Sequence, residues 1–264
     1  MKTRTLLGAI GTWLLAGQVL GQSVLFDFEN AQAGSSLPIT LTVGGITAQF
    51  SSTGLGGFYV QQPQTTIQYT PPGFSGNCLN PTSVNAADLH VAFSVPLTDF
   101  SMLYSPQELA CDSSATLRIT AYLDGALIGT ATTNATAMCT CTWASQYLRF
   151  HSAQGFNSVV VHYDAPPACQ DYGVIFLADN LAVIPAPPPI ILTDPTRLGS
   201  GAFQFSFSNA PGRGFTVFGS TNLFFPVGNW TLLPGLTEGP PGQFQFVDPQ
   251  ATNYARRFYQ VRSP

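Results

Sequence analysis

Proline and glycine punctuate this chain throughout, 21 and 25 of its 264 residues. Proline removes a backbone donor and breaks helix interiors, and both residues mark turns. Between the breaks lie short runs in which apolar and polar residues alternate. No window has the three-to-four-residue apolar spacing of an amphipathic helix. Hydrophobic residues make up 45% and aromatics 12%, ample material for a core although only 8% of residues are charged. The sequence therefore predicts an all-β protein.

Ile184-Pro185-Ala186-Pro187-Pro188-Pro189 is too proline-dense for helix or sheet interior and reads as a stiff, extended spacer. It predicts a first domain over 22–184, a linker over 185–189 and a second domain over 190–264. In the first, strands are expected at 23–29, 39–43, 45–50, 90–95, 99–104, 117–123, 127–132, 146–151, 158–163 and 174–183. The pairs 90–95/99–104 and 146–151/158–163 are read as separate strands, broken at Pro96 and at Gln154-Gly155. Asp124-Gly125 is the strongest hairpin signal. About ten short strands with turns every 8–12 residues imply a jelly-roll-like β-sandwich. In the second, strands at 190–193, 202–206, 214–219, 229–233, 243–247 and 257–262 imply a smaller immunoglobulin/fibronectin-III-like β-sandwich, with Trp230 as a core anchor.

Residues 1–21 predict export. Met1-Lys2-Thr3-Arg4 is basic, Thr5 to Leu20 is apolar or small, and Gly21 suits signal peptidase. This is the pattern of a signal peptide, not of a membrane span. Cleavage after Gly21 leaves seven arginines and no lysine against 13 acids, a net charge of −6. Such a chain lacks the basic stripe that nucleic acid requires. In an oxidising compartment Cys78, Cys111, Cys139, Cys141 and Cys169 are disulfide candidates, and the odd number leaves at least one thiol over or paired between chains.

Several segments resemble known families. Pro211-Gly212, Gly219-Ser220-Thr221-Asn222-Leu223, Asn229-Trp230, Phe246-Val247-Asp248 and Arg257-Phe258-Tyr259-Gln260-Val261 resemble an uncharacterised β-sandwich module found at the C-termini of large bacterial exported proteins. Phe26-Asp27-Phe28-Glu29, Val91-Ala92-Phe93, Val95-Pro96 and Leu177-Ala178-Asp179-Asn180-Leu181 resemble the jelly-roll domains of PEP-CTERM-type exported proteins and, more distantly, carbohydrate-binding modules. The Pro-Glu-Pro sorting tail of the former is missing, so membrane sorting is not expected. The resemblance implies a bacterial source, which leaves the sequons at Asn134 and Asn229 unused.

Catalytic motifs are missing. There is no nucleophile elbow, His-Glu-x-x-His or phosphate loop, and His90, His151 and His162 fall on separate strands. Glu29, Glu108 and Glu238, the only glutamates, stand in no recognisable context, so an enzyme is not expected. Asp179 falls on the apolar face of its strand, where a carboxylate needs a partner. If the first and last strands lie together, Asp27, Glu29 and Asp179 converge, and oxygen ligands favour a structural calcium, as the carbohydrate-binding resemblance also implies. The alternative is that backbone amides satisfy Asp179 at a bulge.

Long loops over 51–88, 105–115, 133–145 and 164–173 are expected at one end of the first domain, with the short turns at the other. They carry all five cysteines and the aromatics Phe58, Tyr59, Tyr69, Phe74, Trp143 and Tyr172, which become the ligand-binding candidates. The function expected is that of a secreted, non-catalytic binding protein for an extracellular polysaccharide or surface polymer. The alternatives are a purely structural matrix or envelope component and a hydrolase without a recognisable motif.

Overall fold

A computed structural model describes residues 21–54, 56–82, 87–106, 116–134, 145–164 and 176–263. The signal segment, Cys111, Cys139, Cys141, Cys169, Trp143 and Tyr172 lie outside the described residues. The chain divides into two compact units within the proline run, the first being Gly21–Pro187. On one side the Ala186 amide donates to the Pro96 carbonyl at 2.8 Å. On the other the Asn209 side-chain amide donates to the Pro188 carbonyl at 3.3 Å.

The first unit runs β1 (Val24–Phe26), β2 (Ile39–Val43), β3 (Ile46–Gly54), β4 (Phe58–Gln61), a single helical turn α1 (Pro63–Thr66), β5 (Cys78–Pro81), β6 (Ala87–Pro106), β7 (Thr116–Leu123), β8 (Ala126–Asn134), β9 (Gln146–Asp164) and β10 (Phe176–Pro185). Its sheet is ordered β4-β5-β10-β6-β9-β7-β8, with β3 also on β6, β2 on β3 and β1 on β10. β6 and β9 form one long antiparallel ribbon, from Leu89↔Val161 to Tyr104↔Gln146. The breaks expected at Pro96 and Gly155 are therefore not strand ends. The ribbon bends there, with a register irregularity around Leu97, and turns from one layer of the sandwich into the other.

Local chemistry explains the corner. Gly155 takes φ +78°, and its Cα faces Pro96. Proline has no amide to lose where the ladder lapses. The Thr47 amide donates instead to the Ser94 hydroxyl at 3.0 Å. Asp124 and Gly125 both have positive φ, as a type I′ hairpin needs. Asp124 is tied to Asn157 by hydrogen bonds of 3.0 and 2.8 Å, so the hairpin sits against this corner.

One layer is β2-β3-β6-β9-β7-β8, using residues 87–93 and 158–164 of the ribbon. The other is β4-β5-β10-β6-β9, using 97–106 and 146–156, with β1 beside β10. Alternation points Leu89, Val91, Leu117, Ile119, Val159 and Val161 into the core from the first layer, and Phe100, Met102, Leu148, Phe176 and Leu181 from the second. Aromatic edges lock the layers together: Phe26 meets Phe50 at 6.1 Å and Phe93 at 6.4 Å. Burying each such ring contributes about 2–3 kcal/mol.

Two expectations about residues 51–88 are corrected. The segment includes strands β4 and β5, whose short apolar runs have too few residues to show a period. Phe58, taken as a ligand contact, is 1% exposed and packs on Phe176 at 5.2 Å. Phe74, also so taken, is buried with Cys78, Leu103 and Leu177 beneath the segment that links β4 to β5.

The second unit comprises β11 (Thr193–Arg197), β12 (Phe203–Ser208), β13 (Thr216–Ser220), β14 (Thr231–Leu233), β15 (Leu236–Glu238), β16 (Gln243–Asp248) and β17 (Phe258–Arg262). These form two sheets, β11-β12-β16-β15 and β14-β13-β17. The Gln/Phe alternation of β16 buries Phe244 and Phe246 with Phe205, Phe207 and Val217. The first strand is displaced from the expected 190–193 to 193–197, and β15 was not expected. Trp230 is not the core anchor. It is only half-buried, and its indole N–H donates to the Phe225 carbonyl at 2.9 Å.

Candidate functional site

Three polar constellations stand out on the first unit. The first is where its opening and closing strands meet. β1 pairs with β10 at Val24↔Val183 and Phe26↔Leu181, bringing Asp27 and Glu29 towards Asp179. β10 bulges between Asp179 and Ala182, and Asn180 takes φ +48°. Asp179 is fully buried and accepts the amides of Asn180 at 2.7 Å and Ser75 at 3.4 Å. Glu29 accepts the Asn77 amide at 3.0 Å, and Asp27 accepts that of Glu29 at 3.2 Å. Gly76 takes φ +59°, which a side chain adopts only with strain, and a Cβ there would push the Glu29 carboxylate from its place. Burial raises the Asp179 carboxyl to about 7 against the lowering effect of the two amides, and the charges of Glu29 and Asp27 push the same way.

The three acids thus share a neighbourhood. Among the described residues, however, no group of three or more His, Cys, Asp or Glu is gathered to hold a metal ion. Main-chain amides donate to each of the three carboxylates.

The second constellation lies on the outer face of the first layer. His162 Nδ1 sits 2.6 Å from Asp88, and its Nε2 sits 3.4 Å from Asp164. Arg118 donates twice to Asp164 at 3.1 Å. Every charged group there is already paired, which ties β6, β9 and β7 together but leaves little to offer a ligand.

The third is a groove of about 450 Å³ on the outer face of the second layer, bordered by Ser23, Asp99, Ser101, Arg149, His151 and Ile184. The ladder sets its rows: Asp99 lies opposite His151, Ser101 opposite Arg149 and Leu103 opposite Tyr147. Tyr147, Arg149 and His151 therefore project from β9 on the same face, and all three are exposed. Arg149 lies 5.3 Å from the Tyr147 ring centroid. His151 Nδ1 is 2.9 Å from one Asp99 oxygen, and the Thr98 hydroxyl donates to the other at 2.7 Å. Small residues at Ser23, Ser101 and Ala182 leave the floor open.

The aromatics proposed from sequence do not line this groove. Phe58 and Phe74 are core, Tyr59 and Tyr69 are partly exposed elsewhere, and Trp143 and Tyr172 lie outside the described residues. Sequence reasoning missed Tyr147, Arg149 and His151. The signal is three ligand-competent side chains at every second position of an expected strand.

Cys78 is a free, buried thiol on β5 rather than a loop residue. Burial, and secondly the charge of Asp179, push its thiol up.

Comparison with known proteins adds little. No protein-family model matches the chain, and no curated protein matches it in sequence. Among solved structures it is similar to the K2 cleaved adhesin domain of Lys-gingipain, at 10% identity over 61% of this chain and 99% of that one, with a TM-score of 0.41. It is also similar to the CBM22-1–CBM22-2 tandem domain of Paenibacillus barcinonensis Xyn10C, at 9% identity over 93% of this chain and 90% of that one, with a TM-score of 0.37. At this level of likeness neither bears on function. Among the described residues no helix is long and apolar enough to cross a membrane.

Proposed function

We propose that the first unit is a non-catalytic binding domain that holds an extracellular polymer of glycan type against the outer face of β6, β9 and β10. The observation that carries this reading is the open groove bordered by Arg149 and His151, with the exposed Tyr147 next along the same face of β9, 5.3 Å from the Arg149 guanidinium. A ring face, a guanidinium and an imidazole, set over a floor of hydroxyls, match the alternating apolar faces and hydroxyl edges of a sugar chain. From Tyr147 to His151 the row spans about 13 Å, four residues at ~3.3 Å each, which suits an extended ligand.

A hydrolytic role finds less support. Glycoside cleavage generally needs two carboxyl groups flanking the scissile bond, and Asp99 is the one carboxylate among the described residues that line the groove. Affinity electrophoresis through gels loaded with soluble polysaccharides tests the proposal. Wild-type protein should be retarded by at least one of them, and Tyr147→Ala should migrate freely. Free migration of wild type through every gel rejects binding and favours the structural alternative.

A further inference from the structure

Arg149 is the one arginine among the described residues that border this groove. The chain is acidic, and its other well-placed arginines are spoken for: Arg118 pairs with Asp164 and Arg257 with Asp248. Arg149 pairs with no carboxylate among the described residues. Its recorded neighbour is the Tyr147 ring. A ring contact of this kind makes no demand on the in-plane N–H donors, and those donors fit a carboxylate two at a time.

The one acid of the groove, Asp99, is turned away from this role. Both of its oxygens are engaged, one by His151 and the other by the Thr98 hydroxyl. It stands opposite His151, one row along from the Ser101–Arg149 pair. Around Arg149 the floor is Ser101, Ala182 and Ser23, which offer hydroxyls and no negative charge. A neutral sugar needs none of this charge, and an unpaired guanidinium poised over an aromatic ring and hydroxyls is what an acidic sugar would meet.

We infer that the groove selects a carboxylate-bearing glycan, a uronic acid polymer, with the sugar carboxylate on the Arg149 fork and the ring beside Tyr147. This rests on the groove being the binding site. Because interaction across exposed surfaces decays within about 8–10 Å at physiological salt, the acids far from the groove are screened, and Asp99, held by His151 and Thr98, is the one groove carboxylate that Arg149 must outweigh.

The test is affinity electrophoresis of the full chain with four probes: polygalacturonate, its methyl ester, neutral xylan and sulfated dextran. Polygalacturonate should retard the wild type, and its methyl ester should bind at least about tenfold more weakly, as expected for loss of a charge-assisted hydrogen-bonded pair. Arg149→Gln should lose polygalacturonate binding by a similar factor with an unchanged melting temperature, and Arg149→Lys should recover only part of it. Equal binding of the methyl ester, or equal binding of sulfated dextran, overturns carboxylate selection. Binding of xylan that Tyr147→Ala abolishes and Arg149→Gln does not also overturns it, yet leaves the groove as the binding site. Retardation by none of the four overturns both readings.

Discussion

Asp179 is the residue whose ionisation the fold most disturbs. Its carboxyl is raised from an ordinary 3.8 to about 7, burial being the main cause. The folded state therefore binds this proton more tightly than the unfolded chain does. Its contribution to stability is intact below about pH 4, is lost as the pH rises to about 7, and stays lost above that. A shift of this size corresponds to roughly 4 kcal/mol at most. Thermal melts from about pH 4 to pH 8 should show wild type losing stability relative to Asp179→Asn, and parallel profiles would reject the assignment. Repeating the melts with calcium and with chelator tests an ion at the same place. A calcium-dependent rise in wild type that Asp179→Asn lacks would put an ion among Asp27, Glu29 and Asp179, whereas identical melts leave the amides of Asn180 and Ser75 as its partners. Cys78 gives a second residue-scale prediction. It is buried and free, and the four remaining cysteines are even in number. Thiol titration should find no reactive group in the native protein and one per chain after denaturation, labelled at Cys78. Three or five thiols would contradict the pairing of the others.

At the scale of elements, the bent β6–β9 ribbon organises the first unit. Gly155 at its corner has φ +78°, while a Cβ there would meet Leu97 and Pro96 only at ordinary contact distance. Gly155→Ala should therefore cost about 1–2 kcal/mol from backbone strain alone, measured by denaturant unfolding. A loss within error would mean that the corner is not strained. In the second unit Phe246 is fully buried, 5.0 Å from Phe205, and Phe246→Ala should cost about 3–5 kcal/mol.

Some of these elements were legible in sequence. The strand over 39–43 and the Asp124-Gly125 hairpin follow directly from alternation and turn chemistry, and the alternating phenylalanines of β16 fall inward as read. Others were not. Pro96 reads as a break because the sequence cannot show that a partner strand bends with it. β4 and β5 are four residues each, too short for a period. Trp230 looks like a core residue until Phe205, Phe207, Phe244 and Phe246 are seen to fill that core without it. At the candidate site, the meeting of Asp27, Glu29 and Asp179 follows from the expected adjacency of first and last strands. The groove does not, because it depends on which outer face is left uncovered, and covering segments such as the one over Phe74 are irregular.

At the scale of the molecule, the division within the proline run predicts separable unfolding. The first unit has its own core of edge-on phenylalanines and branched side chains. The second has a smaller one, pinned by the buried Arg257–Asp248 pair at 2.7 Å, on which the Tyr259 hydroxyl also donates at 2.9 Å. Arg257→Ala strands a buried carboxylate and should cost about 3–5 kcal/mol. Calorimetry should resolve two transitions, with Arg257→Ala lowering one and leaving the other in place. A single transition shifted as a whole would show that the units fold as one.

The pairing of β1 with β10 has a mechanical consequence. The strand that enters the first unit and the strand that leaves it run antiparallel with Val24 beside Val183, so both attachment points emerge at neighbouring positions. A tether pulling on them loads the first pair of hydrogen bonds alone and then the next, in the manner of a zip fastener, instead of shearing all of them together. β1 offers just three such rungs, Val24, Leu25 and Phe26. Held in a flowing medium by its two ends, this unit would yield at low force by peeling its first strand, and the meeting point of Asp27, Glu29 and Asp179 would be the next place to give way.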